Sequence, residues 1–426
     1  MRTELWKDSL RSGKVDGALT ALYGTGPEAP RARYLTLVEE FEAAYGPMDT
    51  AIISAPGRTE LAGNHTDHQN GIVLCAAVTK DAVAVAAPAE DNTVRILSRG
   101  FGEICLTLDT LAPRPEEYGT SEGIIRGVAA GLDSMGIKAG GLRVAVDSQV
   151  PAGGGLSSSA AFEVLMGAIF SHFYGNDAAD ALTLAKIGQG AERDYFGKPS
   201  GLMDQAASAC GGITMIDFGD PTETKVDRIA FDFRKNGYVL CAVDTRTSHA
   251  DLTGDYASIP AEMRSVAEAM GQELLRYVNY EDFMTPETHA RLERGLLSRA
   301  ILRAEHFFAE NARVPHMAEA LRQRDMGAYV RLMNQSGRSS REKLQNVVPS
   351  LHPEMTEMAE ALDRAGALLS GRGAWRIHGG GFAGCIQCLV PEADYEDFQA
   401  KMDEYYGQGA CFELRIRPCG VNILAE

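Results

Sequence analysis

The chain has 426 residues, enough for roughly two or three domains, and its 45% hydrophobic and 23% charged content is that of an ordinary globular protein. Its 41 lysines and arginines against 58 aspartates and glutamates leave a net charge of −17. That balance argues against a general nucleic-acid or anionic-membrane surface, and any anionic substrate would need a local positive pocket. No apolar run approaches the roughly 20 residues of a membrane span, and residues 1–34 are too charged for a secretory signal, so cytoplasmic residence is expected.

Residues 1–48 read as a helical preface with a Gly/Pro break at 24–30. Short β-like runs follow over 51–110, including 82–86 and 94–97. Residues 54–71 place Arg58, Glu60, Asn64, His65, Asp67, His68 and Gln69 among turn residues between two apolar runs. So many directed donors and acceptors suit a polyhydroxylated ligand. A solvated surface loop is the competing reading, and His65, His68 and Asp67 lack a third well-spaced partner for a metal.

Residues 120–135 look helical, and Leu142, Val144 and Val146 alternate as in a half-buried strand. Next comes Pro151-Ala-Gly-Gly-Gly-Leu-Ser-Ser-Ser-Ala-Ala, the most informative stretch of the chain. Consecutive glycines let backbone approach a ligand closely, and the serines are natural helix N-caps. Phe162, Leu165, Met166, Ile169, Phe170 and Phe173 then keep the spacing of a buried helix face. Strand, glycine loop, serine cap and helix together read as a phosphate cradle at a helix N-terminus. A flexible linker would lack the apolar helix. No lysine follows the glycines, so the loop is not a Walker A, and it is neither Gly-x-Gly-x-x-Gly nor a nucleophile elbow.

A third block, residues 201–212, follows Glu192 and holds Asp204 in an otherwise small and apolar segment. A carboxylate there needs a partner or a function. It is either a general base for a hydroxyl or a capping or ion-paired aspartate. Strands are expected at 213–218 and 238–243, and the pattern from 260 to 368 is mostly helical. A fourth block, His378-Gly-Gly-Gly-Phe-Ala-Gly, leads into a strand at 385–390, and 412–417 reads as another. Its glycines fit a tight turn as well as a phosphate contact. The eight cysteines read as reduced core residues. Cys385 and Cys388 are separated by an odd offset and should face opposite sides of their strand. Mixed elements in this order give α+β with two lobes meeting near 220–235.

The four blocks, in this order, resemble the GHMP kinase superfamily and, within it, the galactokinases, over residues 52–424. Residues 56–71 look like the galactokinase signature, 151–161 like the ATP loop, 201–205 like the family's Gly-Ile-Met-Asp-Gln, and 379–384 like its C-terminal glycine motif. The resemblance implies a two-lobed GHMP kinase fold with the active site between an N-terminal domain, 49–228, and a C-terminal domain, 229–426. Residues 1–48 form a helical extension beyond what the family needs. ATP would lie along Gly153, Gly154, Gly155, Leu156, Ser157, Ser158 and Ser159, with Mg²⁺ held by Ser158 and Glu192. Asp204 would take the proton of an anomeric hydroxyl or orient it, with Arg58 paired to it and stabilising developing charge. Asn64, His65, Asp67, His68, Gly201 and Tyr256 would hold the sugar.

The chain departs from the family at three places. Asn64 stands where Glu is usual, His68 where Tyr is usual, and Asp255-Tyr-Ala-Ser-Ile where Tyr-Asn-x-Arg-Arg is usual. A family Glu at 64 is expected near the sugar's C6 hydroxyl. Two carboxylates about 4 Å apart at an effective dielectric of about 20 repel by about 4 kcal/mol, so Asn64 makes a C6 carboxylate admissible. The expected activity is ATP-dependent phosphorylation of galactose to galactose 1-phosphate. A galacturonate 1-kinase and a non-catalytic sugar sensor are the alternatives. The partners implied are the sugar and ATP, with a monomer favoured.

Overall fold

The computed structural model describes residues 1–151, 155–198, 200–220, 223–247 and 252–425. Three helices open the chain: α1 (Thr3–Ser12), α2 (Asp16–Tyr23) and α3 (Glu28–Tyr45). Gly24 ends α2 in the left-handed region, at φ +63°, and Pro27 precedes the next helix.

Among the described residues the strands form two sheets. In the first, β1 (Ala51–Ala62) runs antiparallel to β2 (Ile72–Ala89). β3 (Thr93–Ser98) and β4 (Gly102–Thr107) make a hairpin. The chain crosses through α4 (Ser121–Asp133) to β5 (Gly141–Ser148), which lies parallel to β3 and antiparallel to β2. Helices α5 (Ser158–Gly175), α6 (Ala181–Asp194) and α7 (Met203–Cys210) follow, then β6 (Ile213–Asp217) and β7 (Lys225–Ile229). The long β2 pairs with β6 through residues 72–76 and with β5 through 82–89.

Strand alternation sorts the side chains of this sheet to two faces. Ile53, Ala84, Val144 and Val146 pack under α4 to α7. Their neighbours Ile52, Val83, Val85 and Ala145 pack under Trp6, Leu10, Leu19, Tyr34, Leu37 and Phe41 of the first three helices. The N-terminal helices are thus the outer layer of a helix–sheet–helix sandwich, covering a face that would otherwise be apolar and wet.

The second sheet is antiparallel, in the order β11-β8-β10-β9. β8 (Tyr238–Asp244) is followed by α8 (Thr253–Ala269), α9 (Tyr280–Phe283), α10 (Pro286–Leu292), α11 (Ser298–Gln323), α12 (Met326–Ser339) and α13 (Glu357–Leu369). Then come β9 (Ala374–Ile377), β10 (Cys385–Pro391), α14 (Tyr395–Tyr406) and β11 (Cys411–Glu413). One face of this sheet packs on α13 and α14. The other, through Leu240, Ala242 and Leu389, shares a core with Leu61, Leu74 and Ala76 of the first sheet and Val314 and Met317 of α11. Cys385 lies in that shared core and Cys388 on the opposite face, as their odd offset requires. The strand expected at 412–417 is cut short at Glu413. Leu414 N–H still donates to Leu240 O of β8; beyond it the chain leaves the second sheet and bonds to the first, Thr79 N–H donating to Arg415 O and Arg417 N–H to Ala77 O. β12 (Asn422–Ile423) then pairs with β1.

One buried carboxylate ties these layers together. Asp81, fully buried on β2, accepts from Tyr23 Oη (2.6 Å), Arg33 Nη1 (2.5 Å) and Arg417 Nη1 (2.9 Å), and from the Ser54 hydroxyl. Burial pushes its pKa up, but Arg33 and Arg417 outweigh that and hold it below the usual carboxylate range. Removing one partner of such a cluster strands buried charge. Asp81→Ala is expected to cost about 3–5 kcal/mol in denaturant unfolding. Breaking the exposed Arg11–Glu39 pair with Arg11→Ala should cost no more than about 1 kcal/mol. Equal losses would mean that Asp81 is not the tie described.

Candidate active site

All four sequence blocks converge between the two sheets. A register shift between Pro56 and Arg58 re-aims β1. Arg58 then forks onto Asp204, with Nε 2.7 Å from Oδ1 and Nη2 2.8 Å from Oδ2. Its Nη1 donates to Gly155 O, and its own N–H to Leu156 O at 3.0 Å. Asp204 is the second residue of α7 and also accepts from the Ser157 hydroxyl. Burial pushes the Asp204 pKa up; the Arg58 guanidinium and the Ser157 hydroxyl outweigh it and hold the carboxyl below its usual range. It is an ionised acceptor at the mouth of the glycine loop.

Ser157 does not cap α5. It sits in the left-handed region, φ +55°, with no side-chain cap bond. That conformation turns the hydroxyl away from the helix, and Asp204 takes it instead. Gly153 and Gly154 lie outside the described residues. Gly155, at φ +73°, and the fully buried Leu156 close the loop.

The hydroxyl against Glu192 is that of Ser159, at 3.1 Å, rather than that of Ser158. Glu192 also accepts from Lys198 Nζ (2.7 Å) and Gln205 Nε2 (3.0 Å). The same Gln205 amide donates to Glu163 Oε2 at 2.8 Å, and the buried Glu163 Oε1 has no partner among the described residues. A hydroxyl and two carboxylates, one with an unfilled oxygen, form a hard all-oxygen donor set of the kind Mg²⁺ uses. Sequence reading missed Glu163 and Lys198. The signal for Glu163 was present: a carboxylate inside an apolar helix face, one turn beyond Ser159.

The turn after β1 is organised by buried polar groups. Glu60 is ion-paired with Arg376 of β9, at 2% and 0% side-chain exposure. Asn64, 1% exposed, donates to Gly379 O at 2.6 Å and lies 3.1 Å from both Glu60 oxygens. Its Oδ1 accepts from Asn346 Nδ2 at 2.9 Å. The Asn64 side chain is therefore engaged on all sides by the protein. His65 Nε2 meets Gly380 O at 3.0 Å, and its Nδ1 meets His68 Nε2 at 3.3 Å. No metal-binding group of three or more His, Cys, Asp or Glu occurs among the described residues. Burial pushes both rings down, His65 to about 4.

Asp67 accepts from His68 N–H at 2.9 Å. Its carboxylate fills the space a Cβ at Gly201 would need, which is why position 201 is glycine. Tyr256, on α8, donates to Gly381 O at 2.6 Å and sets its ring edge on Phe382. Arg58, Asp67, Gly201 and Asp204 are thus brought together, while Asn64 and Tyr256 brace the second glycine loop.

Burial, and next the Asp204 charge, push Asp67 up to about 7 from an ordinary 3.8. The folded state therefore holds a proton that the unfolded chain gives up. The stability this group contributes is full below the unfolded pKa and is lost as pH rises through about 7. Relative to the wild type, Asp67→Asn should gain stability between about pH 4 and 7 in denaturant midpoints and hold that gain above it. A pH-independent difference would mean that the carboxyl titrates normally.

Family models match along most of the chain. The galactokinase galactose-binding signature covers residues 39–88, the GHMP kinases N terminal domain 123–212, and the GHMP kinases C terminal domain 317–408. A galactokinase of Glaesserella parasuis serovar 5 (strain SH0165) is 31% identical over 373 residues, spanning 86% of this chain and 92% of that protein. The fold is similar to that of Lactococcus lactis galactokinase complexed with galactose, at a TM-score of 0.79 and 23% identity over 91% of this chain and 98% of that one. A D-glycero-D-manno-heptose 1-phosphate kinase from Bacteriodes thetaiotaomicron aligns at a TM-score of 0.61 and 15% identity, over 88% and 99% of the two chains. With its glycine loop, its Arg58–Asp204 fork and a relative this similar over nearly its whole length, the chain belongs to the galactokinase family of the GHMP kinases.

Proposed function

We propose that this chain transfers the γ-phosphoryl group of ATP to the anomeric hydroxyl of galactose, giving galactose 1-phosphate and ADP. The observation that carries the reading is the Arg58–Asp204 fork, bonded through Gly155 and Ser157 to the loop that opens α5. An ionised carboxylate is thereby fixed beside the place where a helix N-terminus attracts phosphate. The galactose-binding signature and the galactokinase relative support the same assignment.

In the reaction the anomeric O–H passes its proton to Asp204, the oxygen bonds to the γ-phosphorus, and the bond to the β,γ-bridging oxygen breaks. Because Arg58 depresses the Asp204 pKa, the carboxylate is a weak base. Its proton moves late, as transfer to phosphorus makes the hydroxyl acidic. Arg58, held by Asp204 and Gly155 O, adds positive charge beside the transferring group. Ser158 or Ser159 with Glu192 and Glu163 would hold Mg²⁺, which when bound neutralises phosphate charge.

The galacturonate alternative rested on Asn64 and His68. Glu60 returns a carboxylate within 3.1 Å of the Asn64 amide, and that amide is already spent on Gly379 and Glu60. His68 is occupied by His65. Neither residue offers a uronate a new partner, so galactose is the supported substrate.

In coupled ADP release with MgATP, galactose should be turned over far faster than galacturonate; the reverse order would reassign the substrate. Asp204→Asn should lower kcat by about 10²–10⁴-fold, the usual worth of a general base, while galactose still binds in calorimetry. Near-normal kcat would make the carboxylate structural.

A further inference from the structure

A groove of about 880 Å³ lies where the two sheets join, and none of the candidate active-site residues lines it. That volume is in the range of small-molecule sites. Its walls come from stretches distant in sequence: the end of α2 at Tyr23, the strands β6 and β7, the turn after β7, β8, the end of α11, and the passage after β11. The walls are fixed. Tyr23 Oη donates to Asp81 at 2.6 Å, and Phe233 packs against Phe231 and Tyr329 with ring centroids 5.0 and 5.7 Å away. The floor is apolar, since Ile213, Ile229, Phe233, Leu240 and Leu414 are each no more than 5% exposed.

The rim is basic in a chain whose net charge is −17. Arg228, Arg234, Lys235, Arg324 and Arg415 stand there against Asp232 and Glu413. Both acids are spent. Glu413 takes Arg234 at 2.6 and 3.0 Å and Arg415 Nε at 3.1 Å, and Asp232 pairs with Lys235 at 3.6 Å. Asp227, next to Arg228 on β7, is taken by Arg322 of α11. Arg228 and Arg324 are therefore left exposed, with no acidic partner among the described residues. The Asp227–Arg322 pair ties β7 to α11 and brings these two arginines to one end of the groove. Arg228 is also oriented. Its Nη2 donates at 2.8 Å to the carbonyl of Cys210, the last residue of α7, and its other N–H groups are uncommitted among the described residues.

Two unspent guanidiniums beside an apolar floor match one ligand chemistry. A phosphate monoester carries close to two negative charges at neutral pH and accepts forked N–H donors. A single carboxylate would leave one arginine unmatched, and inorganic phosphate would leave the floor wet. We propose that this groove is a second small-molecule site, separate from the cleft, for a phosphate monoester with an apolar body, its phosphate held by Arg228 and Arg324. No residue of the cleft takes part, so the site is independent of the kinase reading. A ligand seated there meets Arg228 at the opposite end of α7 from Asp204.

The probe is 1-naphthyl phosphate, whose fluorescence reads binding to the full chain. The wild type is expected to bind it at one site, equally well with and without saturating galactose and a non-hydrolysable ATP analogue. Inorganic phosphate and 1-naphthol should each bind at least about tenfold more weakly, lacking the buried ring or the charge. Arg324 has no hydrogen-bond partner to lose, so Arg324→Gln should weaken the probe about tenfold, the worth of a hydrogen bond to a charged group, with thermal midpoint and KM for galactose and ATP unchanged. Arg228→Gln should weaken the probe similarly, and the double variant about a hundredfold. Displacement of the probe by the ATP analogue would place it in the cleft and overturn the assignment. Undiminished binding by the double variant, inorganic phosphate as tight as the probe, or a wild type that binds no probe would each overturn it too. Arginine-dependent probe binding without galactose turnover would support the site and overturn only the proposed function.

Discussion

The cleft depends on the buried ion pair between Glu60 and Arg376. Glu60 belongs to the first sheet and Arg376 to the second, and both side chains are almost wholly out of water. Removing either charge leaves the other uncompensated in the interior, a loss of several kcal/mol, so the two strands are held to one relative placement. Everything that frames the sugar turn follows from it. Asn64 is pinned between Glu60 and Gly379 O, Asn346 is pinned by Asn64, and His306 meets Asn64 O at 3.0 Å. A hydrophobic pair of the same volume can hold the sheets as firmly in energy, but it would not aim an amide and two glycine carbonyls.

Three carboxylates of one site are driven apart in acidity by what each is given. Asp204 has a bidentate arginine and falls below its ordinary range. Glu60 has Arg376 but is buried more completely than the arginine repays, and it rises. Asp67 accepts only from backbone N–H groups, those of His68 and Met203, has the Asp204 charge against it, and is pushed up to about 7. Groups of one chemistry thereby take different protonation roles within one cleft, which is how a single fold carries an acceptor beside a donor. A net charge of −17 is no obstacle, because the field inside the site is set by Arg58, Arg376 and Lys198 rather than by the sum over the surface.

Much of this was legible in the sequence wherever spacing carries the information. The alternation of β5, the apolar face of α5 and the opposite facing of Cys385 and Cys388 are consequences of the 2.0 and 3.6 periods. The four blocks could be read as ligand-facing because glycines and polar groups crowd where a core would not tolerate them. Backbone handedness was not legible. Nothing in a serine run distinguishes an N-cap from the left-handed Ser157 that gives its hydroxyl to Asp204. Which of Ser158 and Ser159 meets Glu192 turns on the same single residue, since a helix rotates by about 100° per position. Residues 1–48 gave no sign of what they cover, because the face beneath them is made of Val83, Val85 and Ala145, distant in sequence and indistinguishable there from core.

Asn64 shows why a substitution in a buried cluster has to be read with its neighbours. Taken alone, an amide in place of a carboxylate removes a charge and opens the position to an anionic substrate. In the fold the amide lies one helical-turn spacing from Glu60 along the chain and in contact with it, so the carboxylate is displaced rather than lost. Arg376 then cancels it locally, and the cluster is neutral with all of the Asn64 polar atoms used. A neutral, saturated cluster neither repels a hydroxyl nor rewards a carboxylate, and a carboxylate brought to it would lose hydration without gaining a partner. The exchange at 64, once Glu60 is counted with it, therefore gives no reason to expect a charged sugar.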